Sequence, residues 1–295
     1  MKPAPFEYFA PGSLDEALAL LADHGAAAKL LAGGQSLVPA MNFRLAQPAV
    51  LVDLNGVAGL AGIEPTPDGG VSIGAMTRQR AVEQSALVAT RAPLLAEAMP
   101  SVAHVQIRTR GTIGGSLAHA DPAAELPAVA CALGATLHLQ SAHGRRAIPA
   151  EDFFTGLFAT ALQPGEIVVA VTFPPPLPRQ GSAFLEVSRR HGDFALTGVA
   201  ASVTLDDGGA CSAARVVLLS VGDGPLLSAR VSQALVGERP TDAVLAAAAG
   251  ALDRDLDPPS DIHASAAYRR QLARVLTRRA LTTAFARARV AAPAG

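Results

Sequence analysis

Hydrophobic residues along the chain follow two rhythms, and the switching between them predicts a mixed architecture. Phe6, Tyr8 and Phe9 read as a short strand closed by Pro11-Gly12. Ser13 and Glu16 then form a capping box, Leu14, Leu18 and Leu21 recur at helical spacing, and Gly25 supplies the stop, so a helix is predicted between them. Lys29-Leu30-Leu31 predicts a short buried strand. The run 50–54 predicts a strand of the parallel type, closed by Asn55-Gly56. From Leu60 hairpin signals take over: Gly62-Ile63-Glu64, a Pro67-Asp68-Gly69-Gly70 turn, and the alternating Val71-Ser72-Ile73-Gly74. A helical segment starts at Thr77, another spans 93–98, and 123–133 predicts a third. Strands are expected at 135–140, 145–148 and 167–173.

Pro174-Pro175-Pro176-Leu177-Pro178 marks the clearest boundary, because polyproline is stiff and cannot join the interior of a sheet. Beyond it, 184–189, 199–205 and 215–221 read as strands, the last two joined through Asp206-Asp207-Gly208-Gly209. Helices are expected over 241–252 and 264–290. The last carries Arg269, Arg270, Arg274, Arg278, Arg279, Arg287 and Arg289 and is expected to be solvated or subunit-facing. The resulting division is an α/β unit over 1–58, an α+β unit over 59–173, a linker over 174–179, a C-terminal α+β unit over 180–290 and a tail over 291–295. The fold class is α+β.

Two apolar runs break into glycine pairs. One reads LLAGGQSL from Leu30 to Leu37, the other TIGGS from Thr112 to Ser116. Paired glycines permit φ > 0 and close approach of a ligand, and successive N–H groups in such a turn form a cup for anions. Two phosphate-sized cups suggest one diphosphate ligand. Neither is GxGxxG nor ends in the Lys-Ser/Thr of a P-loop. Pro122 and the second cup are expected to sit at the start of a helix, where the dipole favours an anion.

The composition narrows the partners. Half of the 295 residues are hydrophobic, 17% are charged and the net charge is -1, which leaves no electrostatic footprint for nucleic acid or anionic membrane. No apolar run reaches the roughly 20 residues of a membrane span, and a cytoplasmic location is expected. Cys131 and Cys211 are the only cysteines and lack CxxC spacing, so the chain cannot hold an iron-sulfur cluster or a four-cysteine zinc site alone. His119-Ala120-Asp121 reads as a loop near a polar ligand rather than a metal face, and no metal is expected.

Five stretches taken together resemble one family: AGGQSL at 32–37, LVDLN at 51–55, IGAMTR at 73–78, TIGGSLAHADPAAELP at 112–127 and RRHGDFAL at 189–196. They resemble, in order, the FAD-binding medium subunit of molybdenum-containing hydroxylases, the group of carbon monoxide dehydrogenase and xanthine dehydrogenase. That resemblance implies a two-part FAD-binding fold like that of vanillyl-alcohol oxidase, followed by a C-terminal domain of a small antiparallel sheet and helices. It implies that Leu30, Leu31, Ala32, Gly33, Gly34, Gln35, Ser36 and Leu37 wrap the diphosphate. Thr112, Ile113, Gly114, Gly115 and Ser116 would form the second FAD loop. Val102, Ala103, His119, Asp121 and Glu125 would line the cofactor, with Val168 near its adenine end and Phe194 beside the flavin ring or in the core.

Three positions depart from the family's pattern. Ser116 stands where relatives often have Asn, Leu185-Glu186 where several have a lysine, and Phe194 where carbon monoxide dehydrogenases have Tyr. The implied function is electron transfer from the 2Fe–2S clusters of a small partner subunit to an external acceptor. A large molybdenum subunit would oxidise the substrate, within a dimer of heterotrimers, and no catalytic side chain is required of this chain. The rivals are a self-contained FAD oxidoreductase, with Arg189, Arg190, His191 and Asp193 as its only convergent polar groups, and a non-catalytic assembly scaffold.

Overall fold

The computed structural model describes residues 1–291, so most of the expected tail, 292–295, lies outside the described residues. Three sheets organise the chain, each with its own apolar cluster. In the first, Val50–Asp53 lies between Glu7–Phe9 and Ala28–Leu31, parallel to both, with Leu51 opposite Tyr8 and Val52 opposite Leu30. Its near-continuous apolar run reflects burial on both faces. The helix Leu14–His24 packs Ala17, Leu18 and Leu21 against it. Ser13 Oγ accepts from Glu16 N–H, while Glu16 accepts from Gly12 N–H, and Gly25 ends the helix at φ +51°.

The second sheet is antiparallel, in the order Ile63–Pro65, Val71–Gly74, Ile167–Phe173, Thr136–Ser141, Gly144–Pro149. Val168 and Val171 face its core. Glu125–Leu133 is buried around its whole circumference, as a helix apolar on every side must be. It is packed between this sheet and the third, whose Phe184, Ala200, Val217 and Leu219 join the same cluster.

The third sheet has the order Gln180–Ser188, Ala195–Leu205, Cys211–Leu219, Leu226–Leu227. Its other face is covered by Ala229–Leu235, Asp242–Ala251 and Ala266–Val290. The long C-terminal helix approaches closely because small residues line the contact, Ala273, Ala280, Ala284 and Ala288 on the helix and Gly181 on the strand. Pro174 to Pro178 carry no regular structure.

The expectation of a solvated or subunit-facing arginine helix is corrected at one position, Arg269, while Arg274 and Arg287 are exposed. Arg269 is buried, donates to the carbonyls of Leu196 and Ser220, and pairs with Asp261 at 2.7 Å. Arg287 donates to Ser182 O and pairs with Glu97, and Arg274 pairs with Asp253. Arg278 and Arg279 are exposed, as expected.

Gly181 generates a stability prediction. A Cβ there would collide with the backbone of Ala284 and Ala288, so Gly181→Ala is expected to lower unfolding free energy by about 2 kcal/mol through overpacking. Denaturant titration checks it, and an unchanged midpoint would rule out the close contact.

Candidate functional site

The first glycine loop leaves the end of Ala28–Leu31 and enters the short helix Leu37–Asn42. Gly34 has φ +72°, a conformation that favours glycine, and Gln35 Nε2 donates to Gly33 O across the loop at 3.0 Å. Among the described residues, the amides of Gly34, Gln35 and Ser36 donate to no protein acceptor. A polar group without a partner inside a partly closed loop needs one from outside, and an anion meets that need.

The second loop differs from expectation. Gly114 and Gly115 do not adopt positive φ and do not form an amide cup. They lie in the first turn of the helix Ile113–His119, capped by Thr112, whose Oγ1 accepts from Gly115 N–H at 3.1 Å. The amides are consumed locally: Ile113 donates to Thr77 O, Gly114 to Ala75 O and Ser116 to Thr112 O. The glycines are explained by crowding instead. A Cβ on Gly114 would strike Ala75, and one on Gly115 would lie 2.7 Å from Thr112 Oγ1 and 3.3 Å from Ala32 Cβ.

The two loops are therefore neighbours. A Cβ on Gly33 would sit 2.5 Å from Arg110 O and 2.7 Å from Gly111 Cα, so the backbones meet with nothing between them. A chain of hydrogen bonds clamps the junction. Arg78 donates to Arg110 O and to Asn55 Oδ1, each at 2.5 Å, while Asn55 Nδ2 donates to Ala32 O at 2.9 Å. Asp53 accepts from Asn55 N–H and from the Tyr8 hydroxyl. Asp53, Asn55 and Arg78 come from the stretches 51–55 and 73–78, to which residue-level reading gave no role. A surface cavity of about 610 Å³ borders this clamp and is lined by Asn55, Met76, Thr77 and Arg78 but by none of the expected cofactor residues, so the groove is located by the loops rather than by that cavity.

Around the loops, the other expected residues divide into rim and wall. His119 stacks at 5.1 Å on Phe158, which stands at φ +52° and 53% exposed in the turn between Phe154–Gly156 and Ala159–Thr160. Burial lowers the His119 pKa, with Lys29 acting the same way and Asp121, 4.0 Å away, opposing. Ala120 at φ +52° turns the chain so that Asp121 Oδ1 accepts from Ala123 N–H. Glu125 is buried at the start of its helix without a side-chain partner, and burial, reinforced by the Asp121 charge, pushes it up to about 7 against its own amide and Arg108. Thr112, Ile113, Val102 and Val168 lie in the wall, largely shielded.

Val102 and Ala103 are held by Arg108, which sequence reading missed. Its guanidinium donates to both carbonyls, at 2.8 and 2.9 Å, and forms a two-bond pair with Glu83. Across from them, a Cβ on Gly192 would meet His104 Nδ1 and the Ala103 carbonyl carbon, so the 190–193 turn closes on this edge. Phe194 is 68% exposed, which removes the core reading for it. Arg189, Arg190 and His191 are exposed and Asp193 is half-buried, and among the described residues the one side-chain partner of the four is His263, which Arg189 meets at 3.0 Å. Burial pushes Cys131 up to about 12 and Cys211 up to about 11, which leaves both as unreactive thiols. Among the described residues no cluster of three or more metal-ligating side chains occurs.

Open amides beside glycines that admit a second backbone, with an unpartnered carboxyl further along, suit a dinucleotide. Residues 4–176 match the family of the FAD binding domain in molybdopterin dehydrogenase, and residues 182–284 match the CO dehydrogenase flavoprotein C-terminal domain. The chain belongs to the FAD-binding subunits of molybdenum hydroxylases. It is similar to the 6-hydroxypseudooxynicotine dehydrogenase complex subunit alpha of Paenarthrobacter nicotinovorans, at 46% identity over 98% of this chain and 97% of that one. Caffeine dehydrogenase subunit beta of Pseudomonas sp. strain CBB1 is 42% identical over 96% of each. The solved carbon monoxide dehydrogenase of Hydrogenophaga pseudoflava superposes with a TM-score of 0.94 at 40% identity, over 97% of this chain and 99% of that chain. The FAD-binding subunit thus has the fold that its five stretches implied.

The junction predicts that Gly33→Ala forces the loops apart and weakens FAD binding about tenfold, a loss of about 1.4 kcal/mol, in a protein that still folds. Flavin titration of the apoprotein measures this. An unchanged dissociation constant would show that the loops need not touch.

Proposed function

We propose that FAD lies along the groove with its diphosphate on the amides of Gly34, Gln35 and Ser36, and its ring system at the edge framed by Ala103 and Phe194. The open amides carry this reading, because they lie side by side on one loop without an internal partner. Backbone N–H groups neutralise a diphosphate without lysine. Asp121 and Glu125 accept sugar or ribityl hydroxyls, and Ser116 offers a hydroxyl beside them. Thr112 to Gly115 act as the floor on which the first loop rests, not as a second amide cup. The 1–58 and 59–173 units share the cofactor, and the 180–290 unit closes over one edge.

When bound, FAD supplies the exchange of electrons between iron-sulfur clusters of a partner and an external acceptor. The chain's own residues bind, orient and shield. Arg108 fixes the Val102–Ala103 edge, Arg269 fixes Leu196 and Ser220 behind Phe194, and Arg78 fixes the two loops. The partners we infer are a large molybdenum subunit and a small 2Fe–2S subunit, as a dimer of heterotrimers in the cytoplasm. NAD, oxygen, a quinone or another molecule serves as acceptor. No helix among the described residues is long and apolar enough to cross a membrane.

A visible spectrum of the chain expressed alone, with identification of the released flavin, tests the reading. Bands from bound FAD are expected, with substrate turnover only after partners are added. A colourless chain that takes up no FAD even on reconstitution would reject it. Asp121→Ala is expected to raise the FAD dissociation constant about fivefold, from the loss of one hydrogen bond of about 1 kcal/mol. An unchanged constant would remove Asp121 from the contact set.

A further inference from the structure

Two carboxyl groups lie at the seam between the central cluster and the C-terminal sheet, where Ser220 N–H donates to Pro122 O and draws the approach to the helix Glu125–Leu133 against the strand whose Leu219 pairs with Gly198. Glu125 begins the buried helix Glu125–Leu133, is 6% exposed and has no side-chain partner. Glu186 lies on Gln180–Ser188, two residues from Phe184 and so on the same sheet face, the one that packs into the central cluster. Opposite it in register is Gly198, over which Glu186 Cβ and the Leu219 side chain both lie, so its near neighbours there are apolar. Its Oε2 is buried and has no hydrogen-bond partner. The charges that face Glu125 are Asp121 from the preceding turn, Arg108 from the helix Val105–Arg108, and Glu186. The charge that faces Glu186 is Glu125.

Glu125 is buried, and Glu186, half-buried, has one carboxyl oxygen sealed from water without a partner, so charging both carries a large penalty. Arg108 does not relieve it, because its guanidinium is already committed to Glu83 and to the Val102 and Ala103 carbonyls. We propose that Glu125 and Glu186 act as a unit carrying at most one negative charge at neutral pH, with Glu186 holding a proton, and that Glu186 is thereby a positioning residue. Its neutral state lets the C-terminal sheet close on the helix start that lines the cofactor groove. The unit rests on the fold alone; its effect on FAD rests on the placement of Glu125 proposed above.

The sign follows from the direction of the shifts. Burial and then the neighbouring charge push Glu186 up to about 8, and Glu125 stands at about 7. Both therefore bind protons more tightly folded than unfolded. The contribution to stability is full below the ordinary carboxyl range and is lost as pH rises through the folded values.

The test compares the apo wild type with Glu186→Gln, which keeps shape and a donor but cannot ionise, and with Glu125→Gln. Thermal midpoints are measured from about pH 5 to about pH 9, alongside FAD dissociation constants. The expected result is a wild-type midpoint that falls with pH and a flatter profile in Glu186→Gln. FAD affinity is expected to weaken about tenfold across that range in the wild type and to change less than about twofold in Glu186→Gln, one shifted pKa unit corresponding to tenfold. Glu125→Gln, which removes the repulsion, is expected to bring the Glu186 titration down and flatten the profile too. A Glu186→Gln profile as steep as that of the wild type would overturn the proposal. A flattened stability profile with pH-independent FAD affinity in the wild type would uphold the charge unit and overturn its link to the cofactor.

Discussion

The site depends on two stretches of bare backbone touching. Gly33 rests on Arg110 and Gly111 at a separation that no Cβ permits, and Gly115 rests against Ala32. That contact places a loop with open amides on a floor whose Ile113, Gly114 and Gly115 amides are spent. The hydrogen bonds from Arg78 and Asn55 work on the carbonyls at each side of the junction, so the loops are held by their backbones and their outer faces stay free. A side chain at Gly33 would insert a spacer where the geometry requires none, and the clamp would then pull against it.

The same device recurs at the other edges of the groove. Arg108 and Arg269 are each largely buried, and each divides its donors between one carboxylate and a set of backbone carbonyls. A buried cation is tolerable when most of its donors are used, and the fork of a guanidinium reaches several acceptors at once, with Arg269 Nε left without a partner among the described residues. Irregular loops are thereby fixed without lengthening any helix or strand. Val102 and Ala103, which such a loop carries, and Leu196, near the start of its strand, are tied to side chains of other elements. Rigid support of this kind suits a cofactor subunit, whose groups act by position.

Strong periodicity made much of the architecture legible. The buried strand at 50–53, the hairpin after Leu60 and the strand at 167–173 were readable because burial and alternation leave an imprint on every second residue or on a whole run. Short elements left too little imprint, and the helix Leu37–Asn42 and the hairpin at Phe158 were not foreseen. The glycine pair at Gly114 was misread for a physical reason. Glycine is a poor helix former, yet the Thr112 cap and the closeness of Ala75 favour helix there, and tertiary packing decides. Arg78 and Asn55 act across long sequence separations on carbonyl groups, Arg108 ties nearby carbonyls to the distant Glu83, and no local pattern marks an arginine that will do so. Glu186 shows the same blindness from the other side, because a lone Glu in a strand reads as exposed, whereas the fold seals one of its carboxyl oxygens from water near a second carboxyl.

Sequence separation at the junction has a kinetic consequence. The first loop leaves the ribosome well before the residues that back it, and its own strands supply no surface for Gly33 to rest on. The N-terminal unit therefore exists for a time as a sheet and helix with a loose, unsupported loop. Contacts between distant segments form late because loop closure must come first. Capture of FAD at the place proposed for it accordingly belongs to the end of folding, after the chain beyond Gly111 has settled, and on that proposal the apoprotein must persist long enough for the last step to occur.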